Sequence, residues 1–109
     1  MVRMMVFVSD GNVIGYEMKG HSGYAEAGQD IVCAAVSVLA QTGANALEKL
    51  TGVEPEVQME DGYLQVMLPV NLKETERKKA KTILDTILVG LEDVVDAYPE
   101  YLELRYREV

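Results

Sequence analysis

The chain has 109 residues, 49% of them hydrophobic and 26% charged, which fits one folded domain spanning 1–109 around a single core. Ten basic against eighteen acidic residues give a net charge of −8, a field that repels a phosphate backbone, disfavours direct nucleic-acid binding and draws basic partners. A lone cysteine excludes an internal disulfide framework.

The apolar run 2–8 is cut short by Ser9-Asp10-Gly11-Asn12, a turn signal. The run is too short for a signal peptide or a membrane span, so a cytoplasmic protein with no membrane partner is expected. Ile14, Tyr16 and Met18 then alternate with Gly15, Glu17 and Lys19, which makes 2–19 a β-hairpin. A glycine-punctuated loop follows, Gly20-His21-Ser22-Gly23-Tyr24-Ala25-Glu26-Ala27-Gly28-Gln29.

From Asp30 to about Leu50 the pattern is helical, with Asp30 as the expected N-cap and Ala35, Leu39, Thr42, Ala46 and Leu50 as the expected core face. The opposite side is hardly more polar, so this helix should be covered on two sides, by the sheet and by a second helix or subunit. Gly52 ends it. A second hairpin runs from Glu54 through the turn Glu60-Asp61-Gly62 to Leu68, and Pro55 suggests that it starts at a sheet edge. Asn71 with Glu74 resembles a capping box for an amphipathic helix that stops at Pro99, and Tyr101–Arg107 alternates as a last strand. The order is ββαββαβ: an α+β, two-layer domain, with a mostly antiparallel sheet and both helices on one face.

Reactivity concentrates on the only cysteine and the only histidine. With Asp30 as N-cap, Cys33 would stand in the first helical turn, where unpaired N–H groups favour a thiolate and can receive an oxyanion. His21, twelve residues earlier, would act as general base and then as general acid. Asp30 is a candidate to orient the imidazole, although capping already explains it. Ser37, one turn beyond Cys33 on the same face, is a second supporting candidate, although a hydroxyl bonded to its own helix is as good an account. Gly20, Gly23 and Gly28 suit a flexible loop over the site, or plain turn geometry. One His and one Cys fall short of a metal site, so neither metal nor cofactor is expected. The bland alternative for Cys33 is a small buried hydrophobe, and for His21 a solvated loop residue.

The stretch Gly20-His21-Ser22-Gly23-Tyr24-Ala25 with Gly28-Gln29-Asp30-Ile31-Val32-Cys33-Ala34-Ala35-Val36-Ser37 resembles the signature of the ribosomal-processing cysteine protease family, Prp. The resemblance extends to the order of elements along the whole chain. It implies a bacterial endopeptidase, often a homodimer, that removes an N-terminal extension from the large-subunit ribosomal protein bL27. The family's nucleophile falls on Cys33, its histidine on His21, and its flexible loop on 20–29. Members commonly carry alanine after the histidine where this chain has Ser22, a small-for-small change. Family substrates carry an aromatic residue before the cut, and no pocket for it is identifiable from the sequence.

Two other functions compete with a hydrolase. One is a non-catalytic, ribosome-associated module that binds a basic partner. The other is a thiol redox sensor, which lacks a resolving cysteine within the chain.

Overall fold

The computed structural model describes the backbone of residues 1–20 and 27–109, and the side chains of 1–20 and 31–109. In chain order, β1 (Val2–Ser9) and β2 (Asn12–Lys19) form the first hairpin and α1 (Ala27–Ala46) follows. A single wide helical turn, Leu47–Thr51, extends α1; then come β3 (Glu56–Glu60), β4 (Tyr63–Met67), α2 (Glu74–Ala97) and β5 (Leu102–Glu108). The ββαββαβ order and two-layer α+β class expected from the pattern are those of the structure. The sheet runs β3-β4-β2-β1-β5. All pairs are antiparallel except β1 with β5. β3 occupies an edge and begins directly after Pro55, as its missing N–H suggested.

One face of the sheet carries the core. Val2, Met4 and Val6 of β1, Tyr16 and Met18 of β2, Leu64 and Val66 of β4 and Leu102 of β5 are all buried, as the period-two alternation requires. Ala80, Leu84, Ile87 and Leu91 of α2 close over them at spacings of three and four.

Two expectations about α1 need correction. It starts at Ala27, ahead of the expected cap at Asp30. Ala27 and Gln29 are good helix formers, and Gly28 costs only about 1 kcal/mol, so nothing in those residues stops the helix from starting earlier. Its buried stripe is Val32, Val36 and Ala40, continued by Leu47 in the wide turn, each fully buried, not Ala35, Leu39, Thr42, Ala46 and Leu50. A helix apolar nearly all round states its period and not its phase. The second cover is α2: Gly90 lies against the side chain of Leu39. Tyr16 ties α1 to β2 by donating its hydroxyl to the Ala40 carbonyl at 2.5 Å, and burial pushes its phenol far above the ordinary tyrosine range.

Ile31–Thr51 is long and apolar enough by composition to cross a membrane, but its inward residues are spent on the sheet. α2 is capped two residues later than the pattern implied: the Lys73 N–H donates to the Glu76 carboxylate at 2.9 Å. Asn71 and Glu74 do not form the box.

Candidate active site

Cys33 sits half-buried in the second turn of α1 and opens onto a cleft of about 190 Å³. Ser37 and Gln41 continue the same wall, one turn apart each, as their spacing of four requires. Facing them are Met18 and Gly20 at the end of β2, Met59 and Glu60 of β3, and Asp61 and Gly62 of the β3–β4 turn. The structure therefore brings Cys33 and Ser37 into one cleft. The Ser37 hydroxyl donates to the thioether sulfur of Met18 at 3.9 Å, not to a group beside the thiol.

Gly20 closes the described part of the first hairpin directly ahead of His21. Its N–H donates to the Gly62 carbonyl at 3.0 Å, which fastens the end of β2 to the β3–β4 turn. Its φ of +92° is left-handed, and a Cβ there would lie 2.6 Å from the Met1 carbonyl oxygen. Both facts demand glycine. Gly20→Ala should therefore lower stability by about 1–3 kcal/mol, read as an earlier urea midpoint.

His21 and Gly23, with the rest of 21–26, lie outside the described residues. So does the side chain of Asp30, whose backbone is inside α1. Gly28 also belongs to the first turn of α1 and not to the loop.

This earlier helix start changes the electrostatics expected at Cys33. The free N–H groups of an α-helix are those of its first turn. In a helix running from Ala27, the N–H groups of Ile31, Val32 and Cys33 are already directed at carbonyls four residues back. They are not available as an oxyanion hole, and the dipole acts on Cys33 from a turn away.

On the far side of the sheet from α1 and α2, the Tyr63 hydroxyl donates to Glu17 at 2.8 Å. That bond, ahead of desolvation and neighbouring charge, raises the phenol above its ordinary range. Lys19 stands 6.0 Å from the Tyr63 ring and 3.5 Å from Glu17, so the strand end leading to Gly20 is braced by a polar cluster. Gln41 and Met59 were not among the residues singled out from the sequence: the spacing 33/37/41 along α1 was the signal for Gln41, whereas the place of Met59 depends on strand order, which no local pattern encodes.

Comparison with known proteins gives the family of the chain. Residues 1–103 match the family described as cysteine protease Prp. The ribosomal processing cysteine protease Prp of Bacillus subtilis is 33% identical over 97 residues, 87% of each chain. The enzyme of the same name from Staphylococcus aureus is 32% identical over 110 residues, covering 98% of this chain and all of its own. Among solved structures, Staphylococcus aureus Prp in complex with a substrate peptide superposes with a TM-score of 0.86 at 31% identity, over 98% of this chain and 100% of that one. The same enzyme with a covalently linked product peptide gives 0.82 at 32%, with the same coverage. A Streptococcus mutans protein gives 0.88 at 29%, covering 100% of this chain and 96% of that one. The chain belongs to the Prp family of ribosomal-processing cysteine proteases.

Proposed function

We propose that the chain is an endopeptidase that trims the N-terminal extension of bL27, with the Cys33 thiolate as nucleophile and His21 as its general base and acid. The observation that carries this reading is the exposed flank of Cys33 in a cleft whose opposite wall contains Gly20, the residue bonded directly to His21. A covalently linked product peptide in the Staphylococcus aureus relative supports a covalent course.

In that course His21 takes the thiol proton and the sulfur adds to the scissile carbonyl. The C–N bond then breaks as His21 returns the proton to the leaving amine. A water molecule, deprotonated by His21, cleaves the thioester and regenerates the thiol. Since the N–H groups of residues 31–33 are directed within α1, the oxyanion must be met by donors other than these. Asp30 and Ser37 are secondary. Ser37 acts through Met18, as a packing residue of the cleft wall.

A homodimer is part of the proposal. Ile31 and Val38 of α1 recur at a spacing of seven and remain 56% and 65% exposed, a stripe that a second copy would cover. A cytoplasmic location follows from a ribosomal substrate.

The test is incubation with the host's full-length bL27 precursor, read by mass spectrometry. One cut that removes the extension is expected from the unaltered chain, and a loss of at least about a hundredfold in rate from His21→Ala. An intact precursor after prolonged incubation would overturn the assignment and leave a binding module in its place.

A further inference from the structure

The cleft at Cys33 does not end at Gln41. A second cavity of about 330 Å³ adjoins it, sharing Gln41, Met59 and Leu64 as common lining. Together they form a trough between α1 and the edge strand β3. One wall is Gln41, Asn45 and Glu48, and the other is Met59, Val57 and Glu54.

Val57 and Met59 pair with Val66 and Leu64, so they point to the helix-bearing face. Their partners there are buried, whereas Val57 and Met59 are 44% and 63% exposed. α1 covers β4 and stops short of β3. The trough thus has an apolar floor that no described residue covers.

Its charge is one-sided. Glu48 and Glu54 stand at the far end, and Glu60 and Asp61 at the Cys33 end; no lysine or arginine lines either cavity among the described residues. Gln41 and Asn45 stand between them, and their amides can both donate to and accept from a peptide backbone. From Cys33 to Glu48 along α1 is about 22 Å at ~1.5 Å per residue. An extended chain covers that length with about six or seven residues.

We propose that this trough holds the part of the substrate polypeptide remote from the cut, as an extended segment that sets an apolar side chain on Met59 and Leu64 and lysine or arginine side chains against Glu48 and Glu54. The assignment rests on the protease reading of the Cys33 cleft and adds to it the substrate chemistry that the enzyme selects. Opposite charge at an exposed rim speeds encounter and sets register, which gives a small protease selectivity without a deep pocket.

The test separates the two readings. A fluorescent peptide with basic residues about five to seven positions from the cut is titrated by anisotropy against Cys33→Ala protein, with and without E48Q/E54Q. A counterpart peptide with those residues changed to glutamine is run in parallel. The double variant should bind the basic peptide roughly five- to tenfold more weakly and with a smaller dependence on salt. It should bind the glutamine peptide unchanged. With the thiol present, the same pair of charge changes should raise KM for the basic peptide and leave kcat alone.

Equal affinity of both proteins for the basic peptide would overturn the proposal, and so would an equal loss for both peptides. A change in sedimentation caused by E48Q/E54Q would overturn it too, assigning the trough to a subunit contact. Charge-dependent binding without any cleavage by the unaltered chain would sink the protease reading alone.

Discussion

Cys33→Ala should abolish cleavage of an extended substrate, by at least about a thousandfold, while the fold survives. The proposed nucleophile has no substitute in this chain, because there is no second thiol. Cys33 is only half-buried, so exchanging sulfur for hydrogen removes little packing and should cost within about 1 kcal/mol of stability. Unfolding curves of the two proteins should therefore nearly coincide, and any loss of activity can be assigned to chemistry. Cys33→Ser separates the sulfur from its shape: the hydroxyl is a far weaker nucleophile in a site that lacks N–H support from a first helical turn. Rapid alkylation of Cys33 by iodoacetamide with matching loss of cleavage would fit the same account. Undiminished cleavage by Cys33→Ala would remove the thiol from the mechanism.

A second large effect, on stability, is expected at Gly43. It is buried where α1 crosses β2 and α2, and a methyl group there would overlap the Tyr16 hydroxyl and lie 3.2 Å from Cγ1 of Ile87. The Tyr16 hydroxyl has no room to withdraw, since it is held to the Ala40 carbonyl on the same helix. Gly43→Ala gains about 1 kcal/mol in helix propensity, but the helix must lift from both neighbours. Overpacking of this kind costs about 1–3 kcal/mol, and with two rigid neighbours the upper part of that range should apply, so a net loss of about 1–2 kcal/mol is expected in the urea midpoint. The companion variant Tyr16→Phe removes the overlapping oxygen. Combined with Gly43→Ala it should recover part of the loss, a non-additivity that marks direct contact. An additive pair would show that α1 accommodates the methyl by another route.

Local pattern carried the hairpins, both helices and the closing strand, because alternation and the three-four spacing are written in adjacent residues. Pro55 even marked β3 as an edge strand. What local pattern could not carry was placement. Nothing in Leu102–Glu108 says that it runs parallel to β1, and nothing in Val57 or Met59 says that a helix stops short of them. The start of α1 was hidden for a different reason. Asp30 is a good cap in isolation, yet Ala27-Gly28-Gln29 continues the helix upstream at little cost, which moved Cys33 from the first turn to the second. Of the candidate site, the sequence offered Cys33 and His21 as residue types at a fixed separation, and of the two only Cys33 is among the described residues. The helical side of the cleft wall, Ser37 and Gln41, follows from a spacing of four, but the opposite side, Met59, Glu60 and Gly62, depends on strand order.

The parallel pairing of β1 with β5 has a practical corollary. Met1 meets Gly20, so the amino end abuts the residue that precedes His21 in the chain. Val109, bonded through its N–H to the Val8 carbonyl, sits at the other end of β1, about 20 Å off at ~3.3 Å per residue. A purification handle or fluorescent fusion belongs behind Val109, because bulk attached ahead of Met1 would crowd the glycine that launches the histidine.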